Sequence, residues 1–211
     1  MFVLQHPDEA AILIAFFLLV AFPVHELCHA IAAWRLGDDT AQRAGRLTLN
    51  PLKHFDPIGG TCLVISVCLT GMPLGYASTP VNHARLRGRH GEAIVAAAGP
   101  LSNVAMAVVF GLVTRALSGN FEFAVSAPER LWILLGILTY SNIFLAIFNF
   151  IPVPPLDGSM ILLSLLPPRT RSTFEPVYRQ YGLILFFAVF MFGGYVMTPI
   201  ADGVFHALVG Y

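Results

Sequence analysis

The stretch Phe22-Pro23-Val24-His25-Glu26-Leu27-Cys28-His29-Ala30-Ile31-Ala32-Ala33-Trp34 decides how this chain is read. It closes an apolar run that begins at Ala10, broken only by the polar cluster His25 to His29. The run is long enough for a spanning helix, which needs about 20 mostly apolar residues. On a helix, positions i and i+4 share a face, so the imidazoles of His25 and His29 can reach one metal ion. Glu26 can then reach a water on that ion without binding it. The plainer reading is a polar helix face packed in a bundle core. It leaves unexplained a carboxylate at membrane depth, which costs about 2.5–3.5 kcal/mol even on the lenient insertion scale.

The composition agrees with a membrane setting. The chain has 211 residues, twelve Lys+Arg and twelve Asp+Glu, so 11% are charged; a soluble domain carries about 25%. Apolar residues make up 56% and the mean hydropathy is +0.73. A soluble protein of this size exposes too much of its chain to hide that content. A net charge of zero supplies no field for phosphates, which argues against nucleic acid as a partner. The apolar content excludes disorder. Cys28, Cys62 and Cys68 are an odd count without framework spacing, so no disulfide scaffold is implied.

Four uncharged or nearly uncharged runs read as spans: Ala10 to Trp34, Ala93 to Thr114, Leu131 to Leu156 and Gln180 to Ala201. Two pieces are shorter. Thr61 to Leu69 is bounded by Gly59, Gly60, Gly71 and Pro73, and Gly158 to Pro168 is half a span. Such pieces survive at membrane depth only when buried in protein or lining a wet cavity. If 61–69 is re-entrant, ten of the twelve basic residues fall on one face, leaving Arg115 and Arg130 opposite. The positive-inside rule makes that face cytoplasmic and puts both termini outside. Met1 to Glu9 has no Lys or Arg, so a cleaved signal is not expected. The expected architecture is an all-α polytopic membrane protein, a single membrane-embedded domain over 1–211. It has about four transmembrane helices, a re-entrant segment and a half-helix, with room for short cytoplasmic β strands.

On this topology ten acids fall in loops or at span ends, and two stay embedded in apolar sequence, Glu26 and Asp157. A catalytic zinc usually takes three protein ligands and keeps a position for water. Asp157 is the best third ligand. It follows Ile151-Pro152-Val153-Pro154-Pro155-Leu156, whose prolines stop a helix, and precedes Gly158. An N-cap of the next half-helix is its alternative role. His54 is the second candidate ligand, with an interfacial histidine as its plainer role.

These residues carry a resemblance to the site-2 protease family of intramembrane zinc metalloproteases, in its minimal form without a PDZ domain. The matching blocks are His25-Glu26-Leu27-Cys28-His29; Gly45-Arg46-Leu47-Thr48-Leu49-Asn50-Pro51 through His54-Phe55-Asp56-Pro57-Ile58-Gly59; Ala98-Gly99-Pro100-Leu101-Ser102-Asn103; and Asn149 through Pro152, Pro154 and Leu156-Asp157-Gly158. The resemblance implies one catalytic Zn2+ held by His25, His29 and Asp157, with Glu26 as the catalytic base. It also implies an active site within the membrane, nearer the cytoplasmic face. Asn149, eight residues before Asp157, is the expected oxyanion donor, on the residues and on the resemblance alike; an interhelical hydrogen bond is its alternative. Asn103, with Ala96, Ala97, Ala98 and Gly99, reads as part of a small-residue face that lets helices approach closely. Two departures bear on substrate preference: Cys28 stands where the family often has Gly, and Gly75 to Asn82 lacks a lysine near Ser78.

The reading is therefore a multi-pass zinc endopeptidase that cuts in or near transmembrane segments of membrane-protein substrates. Such a substrate must unwind, and Leu47–Leu49 or Tyr76–Val81 could hold it extended as an edge strand. A catalytically silent membrane scaffold of the same fold should show a broken motif, which this chain does not. A transporter should show a polar path through several spans.

Overall fold

The computed structural model describes residues 7–70, 79–119 and 128–210. Pro23 shapes the first span. It has no N–H, and its ring crowds the carbonyl four residues back. The chain answers with one π-helical turn, Phe17–Ala21, between α1 (Pro7–Phe16) and α2 (Phe22–Arg35). Such turns widen the helical ladder by a residue and often lie beside functional sites. From Ala10 to Arg35 the combined helix is long and apolar enough to cross a membrane.

Helix α2 stops at Arg35, six residues after its polar cluster. Gly37 takes φ +103°, its N–H meets the Trp34 carbonyl at 3.1 Å, and the Asp38 N–H meets the Ala33 carbonyl at 2.9 Å. This is a Schellman ending, and glycine adopts its left-handed residue without a Cβ clash. The turn carries Asp38 inside, with 0% exposed. There its carboxylate accepts hydrogen bonds from the Thr40 hydroxyl and N–H and, at 2.6 Å, from the Asn82 N–H.

Between Asp38 and Asn82 lie three short helices, α3 (Thr40–Arg43), α4 (Pro51–His54) and α5 (Pro57–Thr70). At about 1.5 Å per residue, α5 is roughly 21 Å long, short of the ~30 Å hydrocarbon core. Its Leu63 and Val67 pack with Ala10, Leu13, Phe17 and Ala21 of the first span and Leu145 of the third. The chain leaves at Asp38 and Asp39 and returns to them. Asn82 bonds Asp38, and Arg85 Nη1 lies 2.6 Å from Asp39 Oδ1.

The expected cytoplasmic β strands do not form among the described residues. Leu47–Leu49 is a turn: the Asn50 N–H bonds Thr48 Oγ1 at 3.1 Å, and Asn50 Oδ1 caps α4 through the Leu52 N–H at 3.0 Å. Local side-chain bonds of this kind compete with strand ladders. Of the second candidate strand, Tyr76 to Ser78 lie outside the described residues and Thr79 to Val81 form none.

A 3-10 turn, His83–Arg85, leads to α6 (Gly91–Ser118), and α7 (Glu129–Phe150) follows; both contain spans. Helix α7 ends before the prolines and α8 (Asp157–Leu165) follows them as the half-helix. The fourth run, expected as a span over Gln180 to Ala201, is broken rather than straight. Helices α9 (Pro168–Phe192) and α10 (Gly194–Val209) meet at a 60° bend. The glycine pair Gly193-Gly194 accounts for the break, since neither residue favours helix.

The charged end of the bundle is cross-linked. Asp39 holds Arg43 and Arg85, while Glu92 at the start of α6 holds Arg171 at 2.6 Å. Arg171 continues to Glu175 and Glu175 to Arg179. Basic residues from three separate loops or helix ends thus gather in two adjoining clusters.

Candidate active site

His25 and His29 lie one turn apart on α2, 6% and 7% exposed. His29 Nδ1 is 2.7 Å from the Val95 carbonyl of α6. A carbonyl only accepts, so Nδ1 carries a proton, and in the neutral ring Nε2 keeps the lone pair. The same conclusion reaches His25 through two amides. Asn142 Nδ2 donates to the Leu138 carbonyl at 2.8 Å, so Asn142 turns its Oδ1 toward Asn103. Asn103 Nδ2 donates to that oxygen at 3.1 Å, which leaves Asn103 Oδ1 to accept from His25 Nδ1 at 2.7 Å. Both asparagines are 0% exposed. Both imidazoles are thereby oriented with Nε2 unprotonated, as metal-binding histidines are by their outer partners.

The two Nε2 atoms face each other at 3.0 Å, and Asp157 Oδ2 lies 3.2 Å from His25 Nε2 and 3.4 Å from that of His29. With both rings neutral, three acceptors converge there, an arrangement that a bound cation relieves. Zn–N and Zn–O bonds of about 2.0–2.1 Å in a tetrahedron place neighbouring ligand atoms about 3.3 Å apart. The three separations suit that figure, and three corners of a tetrahedron leave the fourth for water. The donors therefore fit zinc. Among the described residues, His25, His29 and Asp157 are the one group of His, Cys, Asp and Glu side chains able to share an ion.

Close packing makes this approach possible. A Cβ on Gly99 would collide with Nε2 of both histidines, so α6 can pass beside them only with glycine there. Pro100, next in the helix, supplies no N–H to the Ala96 carbonyl and opens that turn. Asp157 is the first residue of α8, whose N-cap is Leu156 and makes no side-chain cap bond. Asp157 is thus not the N-cap; its carboxylate sits at the positive end of the helix dipole. Gly158 lets α8 start against the Phe150 and Ile151 carbonyls, where a Cβ has no room. The loop before it is held by the Val153 and Leu156 N–H groups, each 2.8 Å from a loop carbonyl, and by the Tyr178 hydroxyl on the Pro152 carbonyl.

Glu26 is 5% exposed, and its Oε2 accepts from the Thr79 hydroxyl at 2.6 Å. Asn149 lies in the last turn of α7, where helical bonding persists to Phe150. Its Nδ2 donates to the Leu145 carbonyl at 3.1 Å. His54 stands apart from the converging group. It is 2% exposed, its Nε2 donates to the Thr48 carbonyl at 2.7 Å, and it walls a small cavity with Phe22, Pro23 and Pro51.

Sequence reasoning left the Asn103–Asn142 relay, the Val95 carbonyl and Thr79 unassigned. One signal was available: two uncharged amides, each inside an apolar span, need partners at that depth.

Residues 114–193 match the model of "Peptidase family M50". A Bacillus subtilis protein named "Putative zinc metalloprotease YwhC" is 35% identical over 188 residues, covering 88% of this chain and 84% of that protein. The Mycolicibacterium smegmatis protein "Putative zinc metalloprotease Rip2" is 33% identical over 172 residues, 79% of this chain and 62% of its own length. No solved structure matches the chain significantly.

Proposed function

The chain belongs to peptidase family M50, the site-2 protease family of zinc metalloproteases, and from that premise we propose that it hydrolyses peptide bonds in or beside transmembrane segments of other membrane proteins. The observation that carries this reading is the convergence of three acceptor atoms from His25, His29 and Asp157 beside a buried Glu26, all on apolar helices.

His25 and His29 would hold the zinc through Nε2, and Asp157 through a carboxylate oxygen. Zinc, when bound, lowers the pKa of water toward 7 and polarises a carbonyl. Glu26 takes the proton of the attacking water and later passes it to the leaving amine. Asn103 and the Val95 carbonyl keep the two imidazoles in one tautomer throughout. The oxyanion donor in this reading is Asn149. Its amide keeps one N–H beyond the one given to Leu145.

The site works near the cytoplasmic face. The loops around Arg43, Arg85 and Arg171 support this, since they join in the ion clusters at one end and carry most of the basic residues. Water reaches Glu26 from that end. The substrate is a transmembrane helix that unwinds locally, because a helical peptide bond is shielded from attack.

The test is Glu26→Gln in purified protein. Zinc content and melting behaviour should match the wild type, and cleavage of a model transmembrane peptide in detergent should fall by about 10² or more. Unchanged cleavage would remove Glu26 from the chemistry.

A further inference from the structure

We infer that Thr79 is a positioning residue for proteolysis, holding the Glu26 carboxylate so that its second oxygen faces the attacking water. The inference rests on the reading of Glu26 as the base.

Thr79 Oγ1 lies 2.6 Å from Glu26 Oε2 and 3.1 Å from the Glu26 backbone carbonyl. A hydroxyl has one proton. The shorter contact falls in the range of an O–H donating to a carboxylate, and the longer one lies beyond the usual O–H···O distance, so the proton goes to Oε2. Glu26 is otherwise a long side chain with several rotamers in a buried, narrow site. One oxygen pinned by Thr79 leaves the other, Oε1, without a donor among the described residues, which is the division of labour a general base requires.

Thr79 is itself held firmly although it lies 53 residues from Glu26. It precedes Pro80, which biases its backbone to an extended conformation. Three residues on, the Asn82 N–H is fixed to the buried Asp38 at 2.6 Å. Asn82 Oδ1 accepts from the Ala84 N–H at 3.2 Å, Arg85 pairs with Asp39, and the Arg87 N–H bonds the Leu36 carbonyl at 2.8 Å. These anchors grip the turn that ends α2, the helix carrying Glu26. Thr79 and Glu26 are therefore referred to one rigid frame, and a misplaced general base is costly in rate.

The experiment uses the full chain in detergent and a synthetic single-span peptide with a fluorophore and quencher on either side of its middle. Thr79→Val keeps the shape and removes the donor, Thr79→Ala removes both, and Thr79→Ser keeps the donor. Thr79→Val and Thr79→Ala should lose about 10- to 100-fold in kcat with KM unchanged and zinc retained. Thr79→Ser should restore kcat to within a few-fold of wild type. Wild-type or raised kcat in Thr79→Val overturns the inference, the latter by making the hydroxyl a latch. A raised KM with kcat kept also overturns it, because Thr79 would then contact substrate. Glu26→Gln run in parallel separates the two readings. If it is inactive while Thr79→Val is normal, only the role of Thr79 fails; if it is active, the base assignment fails and carries Thr79 with it.

Discussion

His25 Nδ1 donates to Asn103 Oδ1 at 2.7 Å, across 78 residues of sequence, and this bond sets which nitrogen of the ring faces His29 and Asp157. Asn103 can accept there only because Asn142 and the Leu138 carbonyl fix its flip. Asn103→Ala should therefore weaken zinc by about 10- to 100-fold, the usual loss when an outer partner of a ligand is removed. Competition with a chelator of known affinity reads this directly; an unchanged Kd would mean that His25 finds its tautomer without help.

Asp157, not His54, should complete the metal site. Asp157→Ala removes one of three converging donors and should leave the dialysed protein without zinc and inactive. His54→Ala should retain zinc, though with a lower melting temperature, because the Thr48 carbonyl loses its partner and a cavity opens. Zinc stoichiometry after dialysis distinguishes them. Full occupancy in folded Asp157→Ala with loss in His54→Ala reverses the assignment.

Gly99→Ala should remove zinc binding and activity, although alanine favours helix over glycine by about 0.8–1.0 kcal/mol. The added methyl would enter the space between the two Nε2 atoms and α6. Gly136→Ala is the matched control on α7. Its Cβ meets nothing within 4 Å, so stability should hold or rise slightly. Zinc content and melting of the two proteins, measured side by side, check the contrast.

Single cysteines at positions 43, 87 and 171, in a background lacking Cys28, Cys62 and Cys68, should all label from the cytoplasmic side. The motivation is the return of the chain to Asp38 and Asp39 after α5. Labelling of position 87 from the opposite side to position 43 would make the segment after Pro57 a full span.

Asp38 should make the protein acid-sensitive. Burial alone would raise its carboxyl, but the Thr40 hydroxyl, the Asn82 and Thr40 N–H groups and Arg85 outweigh it and hold the group below its ordinary value of 3.8. A depressed acid contributes stability above its unfolded value and loses it as pH falls through the folded one. The loss should therefore appear below about pH 4. Asp38→Asn should be less stable than wild type at pH 7 and lose less of its melting temperature on acidification. Equal acid sensitivity in the two proteins would assign the effect elsewhere.

Local pattern was enough for much of this molecule. The spans follow from uncharged runs, because a bilayer tests hydropathy one segment at a time. The histidine pair follows from i,i+4 geometry within one helix, and Asp157 stands out because an acid in apolar sequence needs a reason. The end of α7 was legible in three prolines. What escaped was set by contacts between distant parts of the chain. The Gly193-Gly194 pair marks where α9 and α10 part, but the 60° angle between them is set by how the two helices pack, within what composition reads as one apolar run. Leu47–Leu49 has strand-like residues, yet Thr48 and Asn50 spend their side chains on a turn. The partners that orient the site, Val95, Asn103 and Thr79, lie 66, 78 and 53 residues from the groups they hold. A hydrogen bond is specific over about 3 Å, whereas hydropathy and helical periodicity act along the chain. The sequence alone thus determined which residues sit in the membrane and which chemistry they bring; only the tertiary structure decided which atoms meet, because that depends on how closely three helices pack around one glycine.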